Sequence, residues 1–516
     1  MALWPASGLA RSHATPMTRA ALAPAATAGR GAPVPFVEYE AENGVTNGEI
    51  IGPDRRFGTL AAEASGRRAV KLTGVGGFVE ITLARAANAL TLRYALPDSA
   101  DGKGLDGEIA VLADGVRLGE LNLSSRYGWF YGAYPFSNDP KGGGAHHFYD
   151  EARLLLPRTL PAGTRVRFVV DHPDAAPWRV LDLADFELAH RLAPPPNALS
   201  VLAFGADPTG RRDSAAAFDA AIIAARAGGR TLWIDPGAYR IGRHLIVDRV
   251  SIAGAGPWYS VLHGAGVGLY APQGGGHDIV LKDFAIFGEV MERNDHAHLA
   301  GVGGAMSDTT IANLWIQHEK NGLWFDGPMR HIVVRGLRLL DETADGLNFH
   351  RGVEDATVED TFVRNSGDDG LASWSSPQPN ERIVFRRNTV IAPVLANGIA
   401  LYGGDGANVS LNLVADILTE GGGYHLGERF KATPFEGPIV FRDNIAVRAD
   451  GTDPHWKTGV GAFWLYALDR PIDGADIRVD GLDIIDSHAE PILLKGAVSG
   501  VRLRRVRVDG AAQPDR

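Results

Sequence analysis

Cysteine is absent from all 516 residues of the chain. This absence excludes disulfide bonds, thiolate nucleophiles and cysteine-containing metal sites. No stretch is apolar over the roughly 20 residues that a membrane-spanning helix needs, so we expect no membrane partner. The 16 histidines include no HExxH or comparable ligand spacing, and the sequence therefore indicates no catalytic metal.

Positive charge is scarce and scattered along the chain. The 51 lysines and arginines are outnumbered by 61 aspartates and glutamates, which gives a formal net charge of −10. There is no basic stripe of the kind that follows a phosphate backbone, and this argues against nucleic acid as a partner. The first 35 residues are rich in Ala, Pro, Gly and Arg and lack the apolar core of a signal peptide. We therefore predict a disordered leader over residues 1–35.

Glycine, in contrast, is abundant, and some of the 64 glycines recur at one phase of a weak repeat. The final glycines of five pairs lie 24, 24, 28 and 25 residues apart: Asn321-Gly322, Asp345-Gly346, Asp369-Gly370, Asn397-Gly398 and Gly422-Gly423. Such a period is typical of a solenoid. The segments between the pairs alternate apolar and polar residues, as strands do. Rungs of about 24 residues, stacked at roughly 4.8 Å, predict a parallel β-helix.

The chain before the repeats has a different pattern. Many short apolar or alternating runs, separated by Gly, Pro and Asp turns, predict an antiparallel β-sandwich over residues 36–190. A proline-rich stretch, Pro194-Pro195-Pro196, predicts a stiff linker over residues 191–199. An alanine-rich helix near residues 215–227 is placed to cover the open end of a β-helix over residues 200–512. The predicted fold class is therefore all-β, a right-handed parallel β-helix behind an N-terminal sandwich.

The first domain resembles carbohydrate-binding modules of families 6 and 35, which are jelly-roll, galactose-binding-like sandwiches. The likeness lies in Tyr39-Glu40-Ala41-Glu42-Asn43, in the run from Gly74 to Glu80, and in Leu181-Asp182-Leu183. It implies a structural calcium bound by Glu40, Glu42 and Asp182, whose carboxylates are suitable hard ligands. Solvated acids at strand ends are an equal alternative.

An aromatic-rich stretch follows within the first domain, with Tyr127, Trp129, Phe130, Tyr131, Tyr134 and Phe136. Aromatic faces stack on sugar rings, so a binding surface is one interpretation. A contact between the two domains is the interpretation that we favour.

Three carboxylates stand at successive turns of the repeat. Asp345 and Asp369 occupy the same phase on adjacent rungs, so we expect their backbones to lie roughly 5 Å apart. Asp368 is the neighbour of Asp369. Aspartate before glycine is a common turn pair, and Asn321 and Asn397 occupy the same phase on other rungs. A structural role in the turn could therefore explain one of the aspartates. Three clustered carboxylates instead indicate catalysis, because like charges raise at least one pKa toward the range of a general acid.

Strand alternation predicts which other side chains face outward beside these acids. If Leu347 and Phe349 point inward, the rungs present Asn348, His350 and their counterparts on one sheet face. We therefore predict a substrate-binding set made of Trp324, Asp326, Asn348, His350, Arg351, Trp374, Tyr402, His425 and Lys431.

The run from Phe204 to Gly210, with the helix after it, resembles the start of pectate-lyase-like β-helices. Ala344-Asp345-Gly346 followed by Gly367-Asp368-Asp369-Gly370, behind a sandwich, resembles glycoside hydrolase family 87, the α-1,3-glucanases and mycodextranases. The resemblance implies inverting hydrolysis of α-1,3-glucan or a nigeran-like glucan. It implies that Asp368 is the general acid, while Asp345 and Asp369 position and activate water.

Inversion usually needs an acid and a base roughly 6.5–9.5 Å apart, so we expect either that Asp368 points away from the other two aspartates or that the inverting assignment is wrong. The resemblance also implies a secreted or periplasmic enzyme, expected to be a monomer, with a polysaccharide as its partner. Two alternatives stay open. One is a polysaccharide lyase on the same scaffold, with Arg351 or Lys431 as the base, and the other is a non-catalytic sugar-binding protein.

Overall fold

A computed structural model describes residues 27–134 and 136–510 of the chain. Strands dominate it. The α-helices of these ranges are Leu60–Glu63 and Ala215–Gly228, and short 3-10 turns lie at Ala41–Asn43, Ser65–Arg67, Pro140–Gly142 and Val201–Phe204. No helix of the described ranges has the length and apolar character needed to cross a membrane.

The first domain is an antiparallel β-sandwich. Its six-stranded sheet contains Phe36–Glu40, Glu49–Ile51, Ala69–Thr73, Ala87–Ala95, Asp150–Leu160 and Trp178–Glu187. Its five-stranded sheet contains Val45–Thr46, Phe78–Thr82, Asp106–Ala113, Val116–Ser124 and Arg165–Val169. The inward side chains of both sheets form one buried apolar core. This confirms the predicted sandwich.

The second domain is a parallel β-helix. A ten-stranded parallel sheet forms one wall, with the strands Leu245–Ile246, Leu269–Tyr270, Ala300–Gly303, Asn321–Asp326, Leu347–His350, Leu371–Trp374, Ile399–Tyr402, Tyr424–Glu428, Phe463–Ala467 and Ile492–Lys495. Each rung adds one strand to this wall, so the predicted repeat and the predicted fold class are confirmed.

The remaining walls of the coil form one continuous nineteen-stranded sheet. Its strands are Leu199–Ser200, Thr209–Asp213, Thr231–Ile234, Gly237–Arg240, Ser251–Gly254, Ser260–His263, Gly276–Phe287, Met306–Gln317, Met329–Arg335, Arg338–Leu340, Val353–Glu359, Phe362–Arg364, Glu381–Arg386, Thr389–Ile391, Gly404–Ser410, Leu413–Ala415, Phe435–Val447, Asp476–Ile485 and Val501–Asp509. A small hairpin pairs Gly451–Thr452 with Gly459–Val460.

The helix Ala215–Gly228 covers the first rung. Its buried residues, which include Phe218, Ile222 and Ala225, recur every three or four positions, and this spacing gives the helix one apolar face. The helix ends at Gly229, whose left-handed conformation is the usual helix stop. The buried face joins the core of the coil, as the sequence predicts.

The recurring glycines have a steric cause. A Cβ atom on Gly346 would lie 2.5 Å from the carbonyl oxygen of Gly370 on the next rung, and one on Gly322 would lie 2.5 Å from that of Gly346. No side chain fits such a gap, so each rung needs glycine where the chain turns into the ten-stranded wall. The glycine repeat in the sequence therefore results from the close stacking of the backbone on successive rungs.

A column of buried amides holds another corner of the coil. The backbone N–H of Asn388 donates to Oδ1 of Asn412 at 2.8 Å, and the N–H of Asn412 donates to Oδ1 of Asn444 at 2.9 Å. All three side chains are fully buried. Because buried polar groups need partners, this ladder fixes the register of successive rungs.

The two domains meet through a buried network of charges. Arg364 of the β-helix is buried and pairs with Glu151 at 2.5 Å, Asp185 at 2.7 Å and Glu38 at 3.1 Å, all from the sandwich. Across the same interface, His318 pairs with Asp150 at 2.7 Å. These ion pairs attach the sandwich to the rungs that carry Asp345, Asp368 and Asp369.

Part of the predicted leader is ordered. Arg30 pairs with Asp483 at 2.6 Å, and the N–H of Ala32 donates to Oγ1 of Thr389 at 2.9 Å. These contacts with the β-helix show that the prediction of disorder is wrong for residues 27–35. The prediction for residues 1–26 lies outside the described residues.

Replacing Arg364 tests the network between the domains. Arg364→Ala leaves the carboxylates of Glu151 and Asp185 buried without their cation, so we expect the free energy of unfolding to fall by about 3–5 kcal/mol. Urea denaturation of both variants measures this. The control is Arg382→Ala, which removes a half-exposed arginine paired with Asp355 on the surface and should change the midpoint little. Equal shifts in the two variants would contradict a structural role for the network.

Candidate active site

Asp345 and Asp369 lie at the entrance to neighbouring strands of the ten-stranded wall. The N–H of Gly346 donates to the carbonyl oxygen of Asp369 at 3.1 Å, and Leu347 pairs with Leu371 in the parallel ladder. The two aspartates therefore stack on adjacent rungs, as the repeat predicts. Backbone hydrogen bonds hold the two carboxylates close in spite of their mutual repulsion.

Asp368 joins the same cluster. One carboxylate oxygen from each of Asp345, Asp368 and Asp369 lies within 4.8 Å of the others. The expectation that Asp368 points away from the other two is therefore wrong. Asp368 does lie outside the coil, because its side chain keeps 21% of its surface exposed whereas Asp345 and Asp369 are buried.

Three donors hold the carboxylate of Asp369. The backbone N–H and the side-chain amide of Asn397 both donate to Oδ1 at 2.8 Å, and the hydroxyl of Tyr402 donates to Oδ2 at 2.8 Å. Burial, followed by the charge of Asp368, nevertheless raises the pKa of Asp369 to about 7. The backbone N–H of Asp369 itself donates to Oδ1 of Asp368 at 2.9 Å, so the two side chains are held in fixed relation.

Asp345 has fewer donors. Asn348 donates its side-chain amide to Oδ2 at 3.1 Å, and Asn321 donates to the same oxygen at 3.4 Å. Burial, then the charges of Asp368 and Asp369, raise the pKa of Asp345 well above its usual range. The cluster therefore retains a proton near neutral pH, and this proton belongs to the coupled group rather than to one residue.

Asp368 contacts a cation that the predicted site did not include. Nη1 of Arg293 lies 2.7 Å from Oδ2 of Asp368, and Nε of Arg293 lies 2.8 Å from Asp295. The hydroxyl of Tyr134, from the sandwich, donates to Asp295 at 2.7 Å. The segment Arg293-Asn294-Asp295 is visible in the sequence, but its spacing from the repeat gives no signal that it reaches the carboxylates.

Part of the predicted substrate-binding set forms a row of rings, here called the aromatic wall, which consists of Trp324, His350, Trp374 and Tyr402. Asp326, His350, Trp374 and Tyr402 are register partners on four successive rungs. The ring of His350 lies 4.5 Å from that of Trp374, and 5.6 Å from that of Trp324. These rings line up along the coil axis beside the carboxylate cluster.

Ionic contacts join three residues of the predicted substrate-binding set. Asp326 accepts from His350 at 2.9 Å and pairs with Arg351 at 2.8 Å. Because Arg351 is held as a cation against a carboxylate, it is poorly suited to act as the proton-abstracting base of a lyase. The structure thus places Asp326, His350 and Arg351 as one polar patch at the edge of the aromatic wall.

The last two predicted contacts differ in their positions. His425 is fully buried, with its ring stacked 3.9 Å from Trp464 of the next rung, so the prediction that it contacts substrate is wrong. Alternation along the strand does point it outward, but later aromatic residues cover it. Lys431 is exposed, and its backbone N–H donates to Asp469 at 3.0 Å.

The aromatic stretch of the sandwich is a contact between the domains, as we favoured. Tyr127 stacks on His318 with ring centroids 3.7 Å apart, and Tyr134 contacts Asp295. Other members turn inward to the sandwich, since Trp129 donates to the carbonyl oxygen of Leu96 at 2.7 Å and Tyr131 donates to Asp98 at 2.7 Å.

The predicted calcium site does not fit the structure. Asp182 is fully buried and pairs with Arg93 at 2.5 Å, so a guanidinium supplies the positive charge expected of the ion. Glu40 accepts from the hydroxyl of Ser65 at 3.0 Å. Within the described ranges, the groups of three or more potential ligands that converge within 4.8 Å do not include Glu40, Glu42 and Asp182.

Those groups are the carboxylate cluster itself and a second one, Asp150, His318 and Asp341. The second group lies between the domains and is already provided with protein partners. His318 bonds to Asp150 at 2.7 Å, and Asp341 accepts from Gln317 at 2.8 Å and from Asn365 at 2.7 Å.

Comparison with known proteins places this geometry in a family. The model of α-1,3-glucanase catalytic domain D1 matches residues 33–189, and the model of domain D2 matches residues 211–511. No curated protein matches the chain.

Solved structures agree with this assignment. The catalytic unit of a thermostable GH87 α-1,3-glucanase from Streptomyces thermodiastaticus strain HF3-3 is 38% identical, with a TM-score of 0.84 over 92% of this chain and 86% of that one. The Agl-KA catalytic domain is 25% identical, with a TM-score of 0.87 over 94% of this chain and 96% of that one.

A GH87 α-1,3-glucanase catalytic domain in complex with nigerose shares the fold at 23% identity, with a TM-score of 0.78 over 93% of this chain and 96% of that one. The sandwich and the β-helix together make up the matched catalytic unit, and the carboxylate cluster lies on the D2 part. The chain therefore belongs to glycoside hydrolase family 87, the α-1,3-glucanases, and is a glycoside hydrolase that acts on α-glucan.

Proposed function

We propose that the enzyme cleaves α-1,3-glucosidic bonds and that the bond breaks at Asp345, Asp368 and Asp369. The observation that carries this proposal is the convergence of the three carboxyl groups within 4.8 Å beside an aromatic wall. The linkage follows from the family, and GH87 catalytic domains of the same fold have been solved with nigerose and with tetrasaccharides.

Burial supports a division of labour among the three carboxyl groups. Asp368 is the most exposed of the three, so it can reach the glycosidic oxygen of a bound chain and protonate it as the general acid. Asp345 and Asp369 are only 7% and 3% exposed. Their side chains are too enclosed to attack an anomeric carbon, and they are better suited to hold a water molecule.

The spacing of Asp345 and Asp369 suits one shared water. Two oxygens within 4.8 Å of each other can both accept hydrogen bonds of about 2.7–2.8 Å from a single water molecule. Hydrogen bonds to both carboxylates fix the orientation of this water, and its free lone pair then faces the cleft. Loss of its proton to the cluster then makes it the nucleophile.

Direct attack by this water inverts the anomeric carbon, and the short spacing is compatible with inversion. The attacking water stands roughly 3–3.5 Å from the carbon, and the breaking C–O bond adds about 1.4 Å, which gives a reaction axis of about 4.4–4.9 Å. If the acid and the base approach this axis from the same side, the distance between them need not exceed the length of the axis. The usual separation of about 6.5–9.5 Å applies when the two groups flank the sugar from opposite faces.

The aromatic wall supports binding of a glucan chain along the coil axis. Trp324 and Trp374 offer partly exposed apolar ring faces, while the patch of Asp326, His350 and Arg351 offers hydrogen bonds to hydroxyl groups. Tyr402 and Asn348, which the sequence also predicts as substrate contacts, are buried and instead donate hydrogen bonds to Asp369 and Asp345. Lys431 lies on an exposed rim next to Phe430. We propose that the polymer lies across successive rungs with its scissile bond over Asp368.

A polymer of this kind is too large to enter a cell, so we propose that the enzyme works as a secreted or periplasmic protein. The cleft lies within one chain, since all three carboxylates come from the same coil. We propose that a monomer is sufficient for activity.

A panel of polysaccharides tests the function. We expect reducing ends to appear from α-1,3-glucan and nigeran, and none from α-1,4-glucan or polygalacturonate. Proton NMR at early times should show the β-anomer of the new reducing end first, since water inverts an α-linkage. First appearance of the α-anomer would contradict the shared-water mechanism, and unsaturated products absorbing in the ultraviolet would indicate a lyase.

Removing the acid should affect substrates differently according to their leaving group. Asp368→Ala should slow hydrolysis of α-1,3-glucan by about 10²–10⁴-fold, because the glycosidic oxygen then departs unprotonated. An α-nigerosyl fluoride, whose leaving group needs no proton, should be cleaved much closer to the wild-type rate.

Asp345→Ala and Asp369→Ala provide the comparison for Asp368. Both remove a water-holding group, so both should slow the polymer and the fluoride to a similar degree. If Asp368→Ala slowed the two substrates equally, or if Asp345→Ala spared the fluoride, the assigned roles would be wrong.

The raised pKa of Asp369 predicts how stability depends on pH. The folded protein holds this proton up to about pH 7, whereas the unfolded chain releases it near its ordinary value of 3.8. The stabilising contribution is therefore complete below about pH 4 and is lost as the pH rises through about 7. Asp369→Asn should reduce the loss of unfolding free energy between pH 5 and pH 8.

Urea denaturation at four pH values across that range measures this effect. Asp114→Asn is the control for loss of one surface charge, because Asp114 has a half-exposed side chain and a left-handed backbone that asparagine tolerates. A wild-type pH dependence in Asp369→Asn would show that Asp369 takes no part in the proton binding of the carboxylate cluster.

A further inference from the structure

The segment from Arg429 to Thr433 has an unusual backbone. Phe430 and Lys431 are consecutive residues with φ of 59° and 57°. Left-handed conformations are unfavourable for bulky side chains, because the Cβ atom comes too close to the following carbonyl oxygen. Two such residues in succession persist only where their surroundings impose the conformation.

The surroundings do impose it. Nε1 of Trp374 donates to the carbonyl oxygen of Phe430 at 3.1 Å, and Oγ of Ser376 donates to that of Lys431 at 3.0 Å. From the other side, Asp469 accepts from the N–H of Lys431 at 3.0 Å. The segment is thus fixed between Trp374, which lies two rungs earlier and belongs to the aromatic wall, and Asp469, which lies one rung later.

The effect of this conformation is to hold the ring of Phe430 at the surface. The residue is 49% exposed, although a phenyl ring gains nothing from contact with water. Its ring lies 5.4 Å from that of Tyr402 at an angle of 66°, and the guanidinium of Arg429 lies 4.0 Å from its centroid. Tyr402 in turn donates its hydroxyl to Asp369, so Phe430 is separated from the carboxylate cluster by one side chain.

We propose that Phe430 stacks on a glucosyl ring of the bound chain next to the bond that is cut. The apolar C–H face of a pyranose matches a half-exposed aromatic ring, and Tyr402 and Arg429 leave part of that ring open. The inference rests on the proposed function, because it takes the α-glucan site as the place where the ring acts.

The strain supports a functional rather than a structural role. Glycine adopts the left-handed conformation without cost, and asparagine does so at little cost, so a merely structural segment would favour either residue at this position. A phenylalanine at this position, half exposed and held by hydrogen bonds to its backbone, points to a role for the ring itself.

Substitution separates the two roles. Phe430→Gly should raise KM for α-1,3-glucan about tenfold, since covering one ring face removes on the order of 50 Å² of apolar surface from water at about 25 cal/mol per Å². The kcat should stay near wild type, because uniform binding is lost and the carboxylates are untouched. Phe430→Trp, which keeps an aromatic face, should retain a low KM.

Thermal denaturation of the same variants provides the second readout. Phe430→Gly should keep or raise Tm, because glycine relieves the backbone strain. Leu468→Ala is the matched control: Leu468 is 55% exposed and its N–H donates to the carbonyl oxygen of Glu428 near the same segment, yet it should leave both KM and Tm unchanged.

The outcomes distinguish this inference from the proposed function. If the wild-type enzyme does not cut α-1,3-glucan, the proposed function fails before any variant is compared. If the wild type cuts it and Phe430→Gly has a wild-type KM, the inference about Phe430 is wrong while the function stands. A lower Tm together with a loss of kcat in Phe430→Gly would also overturn it, because that pattern marks a structural residue.

Discussion

Parallel hydrogen bonds between successive rungs are the constraint on which the active site depends. They hold the backbone at Gly346 against that of Asp369, at 3.1 Å from nitrogen to oxygen, and so place two carboxylates on top of each other. Two carboxylates this close would separate in a flexible loop, because their charges repel. The coil does not allow it, since the glycines on each side leave no room for the rungs to shift. Burial is the main cause that raises the pKa values of Asp345 and Asp369, and the charge of Asp368 adds to it. A cluster that keeps a proton near neutral pH can serve acid and base chemistry together.

The neighbours of the cluster limit the cost of this arrangement. Asn397 and Tyr402 donate hydrogen bonds to Asp369, and Arg293 supplies a positive charge to Asp368. Arg293 comes from a long connection between two rungs and is itself held by Asp295, which the sandwich contacts through Tyr134. The first domain therefore supports the site from outside. This role agrees with its place within the matched catalytic unit. Among the described residues of that domain, Asp182 of the predicted calcium site is paired with Arg93.

The correct sequence-based predictions concern features that depend on local, repeating interactions, whereas the missed features depend on contacts between distant segments. The repeat, the register of Asp326, His350, Trp374 and Tyr402, and the stacking of the aspartates were all predictable, because a steric requirement for glycine recurs on each rung and strand alternation does the rest. Contacts between distant segments carry no such period. Neither the approach of Arg293 to Asp368 nor the cover that Trp464 places over His425 leaves a signal in local spacing. The strained backbone at Phe430 was equally hidden, since only coordinates reveal a left-handed residue.

In the proposed mechanism, one glucan bond lies over these three carboxylates, with Asp368 on the leaving oxygen and a water between Asp345 and Asp369. A crystal structure of the Asp368→Asn variant with an α-1,3-linked oligosaccharide tests it most directly. We expect residue 368 within hydrogen-bond distance of a glycosidic oxygen, and a water bonded to both remaining aspartates and in line with that bond, roughly 3–3.5 Å from the anomeric carbon. An oligosaccharide bound elsewhere, or one with its anomeric carbon in direct contact with a carboxylate oxygen of Asp345 or Asp369, would contradict it.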